Sequence, residues 1–111
     1  DIGIDKINIL KLDIQGGELK ALKGAERLLR NNQIDLIFTE TFFIPFYKEM
    51  PLFGDISSYL LGFGYKFHGL YNEVNSGTTG RLQWCDAIFV SPNYAKISKN
   101  LLSQSMRNIR L

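Results

Sequence analysis

Hydrophobic positions change period several times along the chain, and each change marks an element. Ile7 to Asp13 reads Ile-Asn-Ile-Leu-Lys-Leu-Asp, an aliphatic run halted by the pair Gly16-Gly17; this predicts a short, half-buried strand. From Glu18 the period lengthens. Leu19, Leu22, Ala25, Leu28 and Leu29 share one face while Lys20, Lys23, Glu26, Arg27 and Arg30 share the other, which predicts one amphipathic helix ending near Asn31-Asn32. Ile34 to Thr41 contains the unbroken run Leu36-Ile37-Phe38, as in a parallel strand covered on both faces. Strand, helix, strand at this spacing is a right-handed crossover that sets the two strands parallel and side by side. The predicted fold class is therefore α/β.

Pro45 and Pro51 bracket an aromatic loop, and Leu52 to Phe63 resumes helical spacing through Phe53, Ile56, Tyr59, Leu60 and Phe63 before Gly62 and Gly64 end it. Tyr65 to Tyr71 and Leu82 to Val90 read as two more strands. The Gly-, Asn-, Ser- and Thr-rich stretch between them, Asn72 to Arg81, is short enough to favour an antiparallel pair. The last segment, Asn93 to Leu111, spaces Ile97, Leu101, Leu102, Met106 and Ile109 as a helix or a tail would. The division expected is a domain portion over 1–92 and a terminal segment over 93–111.

With 111 residues, of which 45% are hydrophobic, the chain closes a single modest core. A net charge of +2 without a basic run gives no nucleic-acid surface, and no apolar stretch approaches the ~20 residues that span a bilayer. Cys85 is the sole cysteine, which excludes a disulfide framework and a Cys-rich zinc site and favours a reducing, cytoplasmic setting.

The segment Leu10-Lys11-Leu12-Asp13-Ile14-Gln15-Gly16-Gly17-Glu18, with Leu22 and Lys23-Gly24-Ala25 after it, resembles the signature of the FkbM-type methyltransferases. Ile37-Phe38-Thr39-Glu40, Tyr47, Pro51-Leu52-Phe53, Gly64-Tyr65, Leu70-Tyr71-Asn72 and Asp86-Ala87-Ile88-Phe89-Val90 are similar to later blocks of that family, in the same order. The resemblance implies an S-adenosylmethionine-dependent enzyme on a seven-stranded, Rossmann-like class I sheet, with this chain as its C-terminal half. The final strand would then insert antiparallel beside the fifth. Such enzymes hold the cofactor with a glycine-rich turn after their first strand and an acidic residue ending the second. Neither occurs here, so the cofactor-binding half is expected upstream and the fragment alone is expected to be inactive. Sugar or small natural-product hydroxyls are the acceptors implied. A non-catalytic interaction module that keeps the half-sheet is the alternative, and the strand edge over Ile7 to Asp13 would then invite self-association.

Ligands of parallel α/β sheets sit beyond the C-terminal ends of the strands, which singles out Asp13 and Glu40 as catalytic candidates. On adjacent strands their carboxylates stand ~5 Å apart, close enough to couple their titrations or share a cation, and one could take the proton of an attacking hydroxyl. The competing reading has Asp13 receiving turn amides and Glu40 solvated. Glu18 fits the first turn of a helix, where a negative charge offsets the dipole; the resemblance adds Gln15, Gly16 and Glu18 as cofactor-side residues. Lys11 alternates onto the side of Asp13 and is a substrate-side candidate. In the stretch Phe42 to Tyr47, Phe43 and Tyr47 are candidates for an apolar substrate wall, against core packing as the alternative. His68 lacks a second ligand at metal spacing and is expected to be structural. Trp84 is expected in the core, and Asp86 beside a backbone or basic partner. No metal site is assigned.

Overall fold

A computed structural model describes residues 6–94; the terminal segment expected over 93–111 falls almost wholly outside them. Among the described residues the chain forms β1 (Ile7–Leu12), α1 (Glu18–Gly24), α2 (Glu26–Arg30), β2 (Ile34–Phe42), α3 (Phe53–Leu61), β3 (Lys66–Asn75) and β4 (Leu82–Val90). The strands make one mixed sheet in the order β1-β2-β4-β3. β1 and β2 are parallel with Leu12 opposite Thr39, while β4 runs antiparallel to β2 on one side and to β3 on the other. The α/β class, the parallel pair and the antiparallel hairpin agree with the sequence expectations.

β2 lies inside the sheet and is buried at all nine positions, as its unbroken apolar run requires. Its side chains alternate between two clusters. Ile37, with Leu12, Ala87 and Phe89 of the neighbouring strands, meets Leu22, Leu29, Ile56, Leu60 and Tyr65. Leu36 and Phe38 join Ile88 on the opposite face, with Ile9 and Tyr71 against them. The helices thus pack on the first face and leave the second to strand side chains among the described residues.

The single helix expected from Glu18 to Asn31 is interrupted. Ala25 has left helical geometry, and its N–H reaches back only three residues, to Leu22 O at 3.0 Å. Gly24, a weak helix former, immediately precedes the break, and the change of direction keeps both Leu22 and Leu29 fully buried. The second half ends in a Schellman turn: Asn32 takes a left-handed φ of 54°, and the amides of Asn32 and Gln33 bond Leu29 O and Leu28 O at 3.0 and 2.8 Å. α3 ends likewise at Gly64, φ 85°, with Tyr65 N donating to Leu60 O at 3.2 Å.

That turn inserts Tyr65 beneath the sheet, where its hydroxyl donates to Ile34 O at 2.6 Å. Tyr65 is 1% exposed, so water does not replace the bond. Tyr65→Phe is expected to lower unfolding free energy by about 1 kcal/mol, read from the urea midpoint at unchanged slope. No loss would mean that Ile34 O finds another donor.

β3 is longer than its apolar pattern suggests, because the polar stretch Asn72 to Asn75 continues the ladder. The connecting loop contracts to Ser76–Arg81, closed by Ser76 N to Arg81 O at 2.8 Å. Among the described residues no helix is long and apolar enough to cross a membrane.

Candidate functional site

Because Leu12 pairs with Thr39 in a parallel ladder, the next residues along, Asp13 and Glu40, come together where β1 ends. α1 begins five residues later and returns Glu18 to the same spot. One carboxylate oxygen from each of Asp13, Glu18 and Glu40 lies within 4.8 Å of the others. Their exposures differ sharply. Asp13 is exposed, whereas Glu18 and Glu40 retain 2% and 6% of their surface, so Asp13 is the member that a solvent-borne molecule can reach.

Glu18 is held by the loop that it closes. Its Oε2 accepts from Ile14 N at 2.6 Å and its Oε1 from Gly16 N at 2.9 Å. These bonds fix a tight turn in which Gln15 and Gly16 both have positive φ, 53° and 104°. The expected offset of the helix dipole holds as well, since Glu18 opens α1. Glu18, a cofactor-side candidate from the sequence, already carries one backbone donor on each oxygen. Glu18→Gln replaces one acceptor by an NH2 facing a backbone N–H, and an expected loss of about 2 kcal/mol follows. Faster amide exchange confined to residues 13–18 would accompany it; an unchanged loop would show that these bonds do not hold the turn.

Glu40 is the electrostatic centre of the group. Its pKa is pushed up to about 7, first by burial, then by a hydrogen bond with Asp13 and by the charges of Asp13, Glu18 and Asp86. Its Oε1 is buried without a hydrogen-bond partner. The solvated Glu40 weighed from sequence is therefore replaced by a buried one. Three clustered carboxylates bring unfavourable like-charge contact, and a proton shared between Asp13 and Glu40 relieves it. A cation could occupy the same oxygens, but those of Glu18 are already taken up by amides.

β4 adds a fourth carboxylate. Asp86 lies directly across from Glu40 in the antiparallel register, is 7% exposed, and accepts from Asn72 Nδ2 at 2.8 Å. Burial raises its pKa while the Asn72 bond opposes the rise. The partner expected for Asp86 was a backbone or basic group; the observed one is an amide side chain. Beside it, the Cys85 thiol is pushed up to about 12 by burial and by the charges of Asp86 and Glu73, so it is a poor nucleophile at neutral pH.

The remaining candidates separate by strand parity. Lys11 stands opposite Phe38, on the face of Glu40, and is exposed. Phe43 points to the other face, away from Asp13 and Glu40, and stacks on Phe53 of α3 at 5.1 Å. Tyr47 is half-exposed and covers the turn, its hydroxyl donating to Gly16 O at 3.4 Å. The φ of 104° at Gly16 is strained for any residue with a side chain, which accounts for glycine there, and a Cβ would also come 2.7 Å from the Tyr47 hydroxyl. Gln15 is exposed and its amide reaches Asp13 Oδ1 at 3.4 Å. His68 is exposed on β3, away from this group in the ladder.

Trp84, expected in the core, is only half-buried and joins Phe42 and Phe46 of the stretch weighed as a substrate wall on the carboxylate face. Phe42 and Trp84 face each other across β2 and β4 at 6.2 Å, and Phe46 closes on both at 5.3 and 5.4 Å. Trp84 is half-buried and Phe46 exposed, so these two rings are accessible over a buried Phe42, two residues along from Glu40 and Asp86. Only the β2–β4 register, which periodicity does not supply, places them there.

No curated protein and no solved structure gives a significant match to the chain. The Methyltransferase FkbM domain matches residues 1–67, a span that runs from the β1 signature through Asp13, Glu18 and Glu40 to the start of β3. The chain belongs to the FkbM methyltransferase family.

Proposed function

We propose that this chain is the acceptor-side portion of an S-adenosylmethionine-dependent O-methyltransferase domain acting on a sugar or small natural-product hydroxyl. The observation that carries the proposal is the exposed Asp13 carboxylate backed by buried Glu40 at the C-terminal ends of two parallel strands. Family membership supports the methyl-transfer chemistry. The strand order, with β4 antiparallel beside β2, supports reading the sheet as half of a Rossmann-like one.

The fit of the cofactor to the described residues is partial. Gln15 offers an exposed amide, but Tyr47 covers Gly16 and both Glu18 oxygens face the turn. These residues border a cofactor site without cradling the adenosyl group, whose contacts the proposal assigns to residues outside 6–94. When bound, S-adenosylmethionine supplies an electrophilic methyl group on a sulfonium. This chain handles the acceptor's proton. The Asp13 carboxylate accepts a hydrogen bond from the acceptor hydroxyl; as the new O–C bond forms and the methyl–sulfur bond breaks, the proton passes to Asp13. Glu40 shares its proton with Asp13 from behind, and the Phe46 and Trp84 rings, backed by buried Phe42, flank the acceptor.

The test is label transfer from methyl-labelled S-adenosylmethionine by a complete domain containing this chain. Label on hydroxyl oxygen is expected. Label confined to amines would overturn O-methylation, and absence of saturable S-adenosylhomocysteine binding to the complete domain would overturn the methyltransferase reading.

A further inference from the structure

The carboxylates do not stop at Glu40. Asp13, Glu40 and Asp86 form a row across β1, β2 and β4, and Asn72 ends it. Asn72 reaches that place through an irregularity in β3. Between Tyr71, opposite Asp86, and Val74, opposite Trp84, β3 advances three residues while β4 advances two. Asn72 within this bulge takes a left-handed φ of 56°, a conformation that costs a non-glycine residue about 1 kcal/mol or more. Bulges re-aim side chains; this one delivers an amide to a buried carboxylate at 2.8 Å.

We propose that Asn72 and Asp86 are positioning residues for the Asp13–Glu40 pair: the β3 bulge presents an amide to Asp86, and the carboxylate so anchored keeps the shared proton on Glu40. The reason is distance. Asp86 is Glu40's direct partner across β2 and β4, whereas Asp13 lies a further strand away. A fixed negative charge at Asp86 therefore disfavours a second one at Glu40 more than at Asp13. Asn72 matters because a hydrogen bond from a neutral donor favours the ionised form of Asp86 against the pull of burial. The other charged or titratable groups facing Glu40 are Asp13 after β1, Glu18 of α1, Lys11 on the same face of β1 and Tyr71 beside Asp86 on β3. Asp13 is Glu40's neighbour on the β1 side but is itself a member of the pair that shares the proton, which leaves Asp86 as the neighbour on the β4 side. For its catalytic meaning the inference rests on the proposed function, but its test does not.

The test is carboxyl carbon NMR of the 111-residue chain, titrated without cofactor or acceptor. Asp86→Asn is expected to lower the Glu40 midpoint by about half a unit or more. Asn72→Gly, which keeps the left-handed backbone at no steric cost, is expected to raise the Asp86 midpoint and lower that of Glu40 in the same direction. A merely structural role would disturb β2 amide shifts and leave these midpoints in place. Should Asp86→Asn fail to fold, Asn72→Gly decides alone. A Glu40 midpoint within ~0.2 unit of wild type in the folded variants overturns the proposal. Methyl transfer could still hold after that result, and the titration could succeed in a chain that transfers no methyl group.

Discussion

Asp13→Asn is expected to slow methyl transfer by the complete domain by roughly 10²–10⁴-fold in kcat/KM, the range for loss of a positioned proton acceptor. The substitution is close to isosteric. It keeps the oxygen that receives the Gln15 amide, and Asp13 is exposed, so the melting temperature should shift little and a rate loss cannot be ascribed to unfolding. What disappears is the carboxylate able to receive a hydroxyl proton. Glu40 cannot substitute for it, since its 6% exposure leaves no route for an acceptor molecule. Its removal as Glu40→Gln should instead alter the pH profile and leave a larger residual rate than Asp13→Asn. The proposed assignment fails if Asp13→Asn stays within about threefold of wild type, or if Glu40→Gln is the more damaging of the two.

Much of this arrangement could be read from residue order, and the rest could not, for identifiable reasons. The aliphatic runs at Ile7 and Ile34 define strands because β2 is buried on both faces, and a crossover of fixed hand then makes them parallel. Asp13 and Glu40 meet as a direct consequence of that pairing. Periodicity did not reveal the break at Ala25, because Leu22 and Leu29 remain on the buried face on either side of it. Phe43 and Phe42 are indistinguishable in composition but differ in parity; only the β2–β4 ladder assigns Phe42 to the carboxylate face and Phe43 to α3. Glu18 satisfied the rule for a first-turn acid, and that rule gives no hint that its carboxylate bends back onto Ile14 and Gly16. Asp86 and Asn72 depend on a hairpin register that includes a bulge, and apolar alternation carries no signal for a one-residue insertion in a polar stretch.

The buried carboxyl at position 40 should also set the direction in which stability changes with pH. In the folded chain its pKa is raised from 4.5 to about 7, so the folded state binds the proton more tightly than the unfolded chain does. Its contribution is then fully present below about pH 4.5, declines as pH rises, and is lost once pH passes about 7. The shift corresponds to roughly 3 kcal/mol. Urea unfolding is expected to give a free energy lower at about pH 8 than at about pH 5 by roughly 2–3 kcal/mol. Asp86 is shifted in the same direction, chiefly by burial. Glu40→Gln carries no ionisable proton, so its stability should change by less than about 1 kcal/mol over the same interval and exceed wild type at the alkaline end. A wild-type chain that grows more stable toward pH 8, or a Glu40→Gln variant with the full wild-type slope, would place the proton elsewhere. Glutamine would occupy the same volume without this cost in alkaline stability, and the carboxyl group at that cost is consistent with the proposed proton-accepting role of the Asp13–Glu40 pair.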